Sequence, residues 1–432
     1  MDTIFKFFKS KSIKNSLWII GEQVFQMAVS FVVGILTARY LGPSNYGALN
    51  YTASFVAFAL SFATLGMEGV VIKKMIENPE REGEYLGSCM AFRCVASILS
   101  IITVIIVVAV LNPNDNLKLL LVSLQSFQLL FRALQILDSW FQRHLKSRYV
   151  SIGKMVACVV VSAYKVFLLA TAKSIQWFAL SNSLTDFVVA VMLFFWYKRE
   201  KGQRLFVKKE TGIEVLIESY HFIISGVMTA IFTQMDRIMI GGMLSDIDVG
   251  FYTTAANICS MWIFVPTAVI NSFRPKIMEI KQSGNEDLYL TRLKQLYASI
   301  IWMCVLVSVG IALLAQFIVT FLYGEAYLGA VDPLRILIWC ETFSMIGSAR
   351  GIWVLCENKN KYVKYYLGIG VVVNLILNYL LIPAIGINGA AIATLATQIV
   401  TSTIAPLLFK ETRIHTKYVI ESFFFIWHKN SK

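Results

Sequence analysis

Leu41–Ser54 reads LGPSNYGALNYTAS, and Leu244–Asn257, 203 positions further on, reads LSDIDVGFYTTAAN. In register, Leu41 falls on Leu244, Gly47 on Gly250, Thr52 on Ala255 and Ala53 on Ala256. Each stretch follows one long apolar run and leads into another. A repeat displaced by nearly half the chain means that one unit is present twice, and loop 6–7, between the sixth and seventh runs, divides the copies. Outward from the first stretch the apolar runs are Leu17–Arg39, Ala48–Met67, Gly87–Leu111, Leu117–Asp138, Met155–Ala172 and Ile175–Tyr197. Around the second they are Tyr220–Gly242, Phe251–Asn271, Tyr297–Leu322, Leu334–Leu355, Tyr365–Ile385 and Ile387–Leu408. A bilayer core about 30 Å thick takes roughly 20 residues of helix. The runs are too long for barrel strands and lack their alternation. The expected fold is an all-α integral membrane protein with twelve transmembrane helices in two six-helix lobes. An even number of crossings per copy inserts both in the same sense, so the expected pseudo-twofold axis runs along the membrane normal. The expected boundaries are 1–205, 206–410 and a tail at 411–432.

Composition agrees. Hydrophobic residues make up 57% of the 432-residue chain and charged residues 15%. Soluble domains run at roughly 45–50% and about 25%, so neither a water-soluble globule nor a disordered chain fits. The net charge of +13 would suggest nucleic acid in a soluble protein. Here the basic residues sort by loop: thirty lie in the termini and alternate loops, and two, Lys118 and Lys173, lie in the others. Retention of Lys and Arg on the cytoplasmic side gives that alternation. Both termini are expected in the cytoplasm, and no nucleic-acid partner is implied. Met1–Lys14 and Tyr418–Trp427 mix aromatics with lysines and read as helices lying on the membrane surface.

The seven cysteines are an odd, dispersed set in or beside apolar runs, which is neither a disulfide framework nor a metal site. There is no phosphate-binding loop, nucleophile elbow or zinc motif. No catalytic residue, metal or cofactor is expected, and the chain does not read as an enzyme. A polysaccharide polymerase or membrane glycosyltransferase would need a large extramembrane loop or domain, and the outer loops are short.

At Arg39-Tyr40-Leu41-Gly42-Pro43-Ser44-Asn45-Tyr46-Gly47 the sequence resembles the O-antigen and capsule flippases of bacteria, the Wzx-type polysaccharide transporters of the MATE-like superfamily. Asp236-Arg237-Ile238-Met239-Ile240-Gly241, Val249-Gly250-Phe251-Tyr252, Gly66-Met67-Glu68-Gly69-Val70-Val71 and Phe321-Leu322-Tyr323-Gly324-Glu325 are similar to further signatures of those transporters. Ser245-Asp246 stands where Leu-Gly is more common. The resemblance covers about Ile13 to Lys410. It implies a multi-pass protein of the bacterial cytoplasmic membrane. Such a protein moves undecaprenyl-pyrophosphate-linked oligosaccharide repeat units, O-antigen or capsule precursors, from the inner to the outer leaflet by alternating access. A coupling cation, H+ or Na+, membrane lipids and a polysaccharide polymerase of the same pathway are the implied partners.

The residues that can carry transport are the ionisable ones at membrane depth, where a charge costs about 2.5–3.5 kcal/mol on insertion scales and so marks a wet cavity or the bundle interior. Arg93, Arg132 and Arg350 fall at similar depth near the cytoplasmic side. A pyrophosphate needs such cations, because guanidinium offers paired donors and stays charged when buried. They are the expected pyrophosphate ligands, against the plainer reading that each reaches up to the interface. Lys165, in the outer half of its span, is the expected later ligand. Glu341, Glu22 and Asp186 are the expected ion-coupling acids, or else fixed counter-ions for the arginines. Asp236 and Arg237 read as structural. Asn374 and Asn378 share a face and either line the cavity or bond between helices. Pro266 is expected to kink the eighth span, and Gly347 with Gly351 to permit close helix approach. The competing reading is a MATE-like cation-coupled drug exporter. Seven basic against five acidic residues inside the spans favour an anionic substrate.

Overall fold

The computed structural model describes residues 11–424. The segment Met1–Ser10 and the end of the tail, including Trp427, lie outside the described residues, and so do most of the expected surface-lying N-terminal helix and part of its C-terminal counterpart.

The helices are α1 (Lys11–Ala63), α2 (Glu68–Glu77), α3 (Glu82–Leu111), α4 (Asn116–Leu134), α5 (Asp138–Arg143), α6 (Ser147–Ala170) and α7 (Ile175–Arg199). They continue as α8 (Lys209–Met243), α9 (Asp246–Ser260), α10 (Phe264–Gln282), α11 (Glu286–Tyr323), α12 (Val331–Cys356), α13 (Val363–Ile385), α14 (Ile387–Ile399) and α15 (Arg413–Phe423). Among the described residues ten stretches are long and apolar enough to cross a membrane. The first, Gly21–Glu77, contains both of the first two expected spans. Leu334–Leu355 falls outside the ten, since α12 carries Asp332, Arg335, Glu341 and Arg350. Twelve crossings are compatible with this inventory.

The opening stretch is not a loop, as the run boundaries implied. Gly42 adopts φ 70° and ψ 168°, and helix continues on both sides of it. Glycine visits that region without the steric penalty of a side chain. Pro43 then opens the next helix at a position where its missing N–H costs nothing. At the equivalent place in the second copy, Ser245 is extended and its hydroxyl accepts from the amide of Asp248. The departure from Leu-Gly there is thus an N-cap substituted for a glycine turn. Pro266 also does more than kink: α9 ends at Ser260, and Pro266 lies in the first turn of α10, where no helical N–H is needed.

The chain packs as two compact units, Met1–Leu41 with Ala48–Gln234, and Gly42–Gly47 with Met235–Lys432. The division falls within α8, beyond the residue-205 boundary read from the sequence. The reason is the linker after α7. The hydroxyl of Tyr197 donates to the carbonyl of Gln203 at 2.6 Å, and the Gln203 side chain accepts from Gly83 N at 3.0 Å and donates to Pro79 O at 2.8 Å. A Cβ on Gly83 would stand 2.3 Å from the carbonyl oxygen of Arg204. The linker is pinned along α3, and the first part of α8 stays with it through Lys74, which pairs with Glu214 and Glu218.

In the first unit α4 packs on α3 and α7, α6 on α7, and α2 on α5, over a core that includes Met67, Met75, Tyr85, Leu86, Trp140 and Phe141. In the second, α12 is central, packed by α9, α11 and α14. Leu293, Tyr297, Ile346 and Trp353 belong to its core. The two repeat stretches meet here. A Cβ on Gly47 would stand 1.6 Å from the carbonyl oxygen of Asp246, and one on Gly250 2.2 Å from that of Pro43, so backbone lies directly on backbone. Gly347 and Gly351 do not behave this way: a Cβ on the first would meet only Ser402 Cβ at 4.0 Å, and one on the second nothing. The expected close approach at that pair is absent. Leu306, Leu313, Phe317 and Phe321 lie exposed along α11. In water such a face would be an association site, and in a bilayer it is the lipid contact. The chain is a multi-pass membrane protein.

Candidate functional site

Within the first unit, α1, α4, α5, α6 and α7 enclose a cavity of about 540 Å³. α1 contributes Glu22, Gln23 and Gln26, α4 Arg132, the turn after it Gln135, and α5 Asp138 and Gln142. α6 adds Ser147, Val150, Ser151 and Lys154, and α7 adds Thr185, Asp186 and Val189. Arg132 donates to Asp186 at 3.1 Å and to Gln135 at 3.0 Å, and Gln135 donates in turn to the Asp186 carboxylate at 2.9 Å. Asp138 accepts from Gln142 at 3.0 Å and faces Lys154 at 3.8 Å. Asp186 is therefore the counter-ion of Arg132. This wall of charge is held by helices rather than loops, which fixes its geometry.

Arg93, on α3, is 1% exposed and close enough to Arg132 for their charges to repel. It makes one ion pair, with Glu68 at 3.5 Å. Its Nε and Nη1 have no hydrogen-bond partner among the described residues. Buried donors are rarely left so, because each costs about 1–3 kcal/mol. Glu68 is 63% exposed, so water competes for it and its hold on Arg93 is weak. Arg93 thus keeps donors to spare beside the paired guanidinium of Arg132.

The second unit has its own polar centre. The carboxylate of Asp236, on α8, accepts from Tyr252 at 2.6 Å, Thr394 at 2.7 Å, Asn378 at 2.6 Å and Asn374 at 3.2 Å. Asn378 also donates to Asn374 at 3.1 Å, while its own Oδ1 is buried without a donor. Asn374 and Asn378 thus follow the interhelical reading. The two asparagines turn their amide N–H groups to the carboxylate, so each of its oxygens is satisfied by two donors. Among the described residues no three His, Cys, Asp or Glu side chains gather as a metal site.

Residues 12–273 match the family model described as Polysaccharide biosynthesis protein. The chain belongs to that family. Among curated proteins it is 21% identical over 385 residues to the probable low-salt glycan biosynthesis flippase Agl15 of Haloferax volcanii, covering 88% of this chain and 80% of that one. It is 30% identical over 139 residues to the lipid II flippase MurJ of Bacillus subtilis (strain 168), a match over 31% of this chain and only 26% of the relative. Among solved structures, lipid II flippase MurJ in an inward closed conformation superposes with a TM-score of 0.74 at 16% identity, over 95% of this chain and 91% of that one. An inward-facing multidrug resistance MATE family transporter gives 0.67 at 13%, over 92% and 96%. This family member therefore has the fold common to those transporters.

Of the residues expected in the site, Glu22, Arg132 and Asp186 share the cavity, and Arg93 stands beside Arg132. Lys165, half-buried on α6, and Glu341, half-buried on α12, make no ion pair among the described residues. Arg350 belongs to the second unit and is 8% exposed, stacked over Tyr366. It donates to the carbonyls of Thr401 at 2.6 Å and Ser402 at 3.3 Å. These belong to a π-helical turn, Val400–Ile404, whose Thr403 carbonyl accepts from Thr416 of α15. A π-turn breaks the regular pattern of helical hydrogen bonds, and Arg350 occupies two carbonyls within it. Arg350→Lys keeps the charge but lacks the fork. It should lower the unfolding midpoint of the purified protein by several degrees, and an unchanged midpoint would refute the bracing role.

The run boundaries leave Lys154 in a loop and Asp138 at a run end, so the sequence marks neither as lining a site, nor Gln23, Gln26, Gln135 and Gln142. Neutral amides carry no depth penalty large enough to stand out. The one available signal was their number on helices flanking Arg132.

Proposed function

We propose that this protein moves lipid-linked oligosaccharide repeat units, carried on undecaprenyl pyrophosphate, from the inner to the outer leaflet of the bacterial cytoplasmic membrane by alternating access. The observation that carries the reading is Arg93, a buried guanidinium with two unpaired nitrogens beside Arg132. A diphosphate brings acceptors and no donors, so it satisfies both groups at once. The similarity to Agl15 and MurJ, named as flippases, supports the movement of a lipid-linked glycan. In this reading O-antigen or capsule precursors are the cargo and a polymerase of the pathway is the consumer. Both termini lie in the cytoplasm on the charge alternation. Lys165 receives the anion as the path opens outward. The coupling cation, H+ or Na+, is held by the acids at membrane depth. Glu341 keeps its place among them as an unpaired acid.

Deletion of the gene should trap complete lipid-linked repeat units in the inner leaflet, read by leaflet-resolved analysis of lipid-linked intermediates. The wild-type gene should restore export. Arg93→Gln and Arg132→Gln, checked for normal insertion, should cut it about tenfold or more, as for loss of a charge-assisted hydrogen bond. Intact surface polysaccharide with altered drug tolerance in the deletion strain would transfer the protein to the drug-exporter reading.

A further inference from the structure

Pairing within the cavity of the first unit leaves one acid over. Arg132 and Gln135 are engaged with Asp186, and Gln142 with Asp138. Glu22 lines the same space and is 6% exposed. Among the described residues it accepts no hydrogen bond and makes no ion pair. Lys154 is within electrostatic range of it, but its ion pair at 3.8 Å is with Asp138. Gln23 and Gln26, beside it and one turn on along α1, open on the same cavity. Its carboxylate oxygens open on the cavity, so whatever fills that space supplies their donors.

Four ligand chemistries can be weighed. A metal ion needs several oxygens converging on a point, and no such group of acids exists among the described residues. The volume, about 540 Å³, is that of a small-molecule pocket, for which roughly 300–1,000 Å³ is usual. A diphosphate offers acceptors only and is repelled by Glu22. An organic cation of the drug type would look for apolar walls, but Val150 and Val189 are the only apolar lining residues. A sugar ring meets every condition. Its hydroxyl and amide N–H groups donate to the Glu22 carboxylate. Its oxygens accept from glutamine amides, which both donate and accept.

We infer that this cavity is the saccharide subsite of the transported lipid, with Glu22, Gln23 and Gln26 as the groups that recognise the first sugar. The inference rests on the flippase reading and divides the cargo between two places: phosphates to Arg93 and Arg132, sugar to the face of α1. Glu22 is then a specificity residue rather than a coupling acid. A site built to hydrogen-bond a substrate hydroxyl discriminates strongly against an analogue that lacks it.

The test uses the purified full-length protein and two probes, undecaprenyl pyrophosphate alone and the same carrier bearing one N-acetylhexosamine, with binding measured by native mass spectrometry. Wild type should prefer the sugar-bearing probe about tenfold or more, the size expected of a few hydrogen bonds to a charged acceptor. Glu22→Gln should remove most of that preference without weakening binding of the bare carrier. The double variant Gln23→Leu/Gln26→Leu, on a half-exposed face where folding is safe, should do the same. Retained binding of the bare carrier reports that each variant is folded. An unchanged preference in both variants, or an equal loss for both probes, overturns the subsite. So does a Glu22→Gln variant that keeps the sugar preference but loses a Na+ or pH dependence of binding, since that assigns Glu22 to the coupling cation. Wild type that binds neither probe overturns the flippase reading and the subsite with it. Wild type that binds both equally overturns only the subsite.

Discussion

Gly47→Ala should strongly destabilise the second unit. The new Cβ would stand 1.6 Å from the carbonyl oxygen of Asp246, 2.6 Å from its carbonyl carbon and 2.8 Å from the amide nitrogen of Gly250. All three are backbone atoms, so no rotamer relieves the overlap. Either α1 must move off the start of α9 or the helix must deform. Overpacking of a well-filled core costs about 1–3 kcal/mol, and a collision with fixed backbone belongs at or above the top of that range. The hydrogen bond from Asn257 to the Tyr46 hydroxyl at 3.0 Å, one residue away, would be strained by the same movement. Gly34→Ala is the control. It lies on the same helix with nothing within 4 Å of the new Cβ, and alanine in an open helical position gains about 0.5–1 kcal/mol over glycine. The two variants should therefore shift the unfolding midpoint in detergent in opposite directions. Equal midpoints would show that the two repeat stretches do not pack through their glycines.

The second large effect is expected at Asp236. Four donors converge on its carboxylate, from Tyr252, Thr394, Asn374 and Asn378, and the residue is buried. Asp236→Asn is nearly isosteric, yet it turns one acceptor into an amide that points hydrogens at donors. At least two side chains then lose their partner. Hydrogen bonds to charged groups are worth about 1.5–3 kcal/mol, and a stranded buried donor costs about 1–3 kcal/mol more. A loss of roughly 3 kcal/mol or more is the expected outcome, read as a lower unfolding midpoint. An unchanged midpoint would show that the four donors do not depend on the charge of the carboxylate.

These two positions divide differently between sequence and structure. Gly47 and Gly250 were visible as a matched pair, because a repeat is a property of the string. That the pair forms a backbone-on-backbone contact was not visible, since identity at two positions does not say that they touch. Asp236 stood out by its depth cost, but its donors come from 16 to 158 residues away, and no local pattern joins them. Arg350 divides the other way. Its depth matched that of Arg93 and Arg132, and depth alone cannot distinguish a guanidinium committed to two backbone carbonyls from one with unpaired nitrogens.

By itself the sequence determined the all-helical membrane fold, the duplication and the alternation of charge. Each follows from a summed or periodic quantity: apolar length against bilayer thickness, register between copies, and basic residues per loop. Only the tertiary structure decided which buried charges are already satisfied and which are waiting. Satisfaction is pairwise and short-ranged, set at about 3 Å between side chains on different helices, and the positions of those helices depend on the whole packed unit. Arg93 and Glu22 look no different from Arg350 and Asp186 in the string of residues. What separates them is that, among the described residues, two nitrogens of Arg93 and the carboxylate of Glu22 have no hydrogen-bond partner.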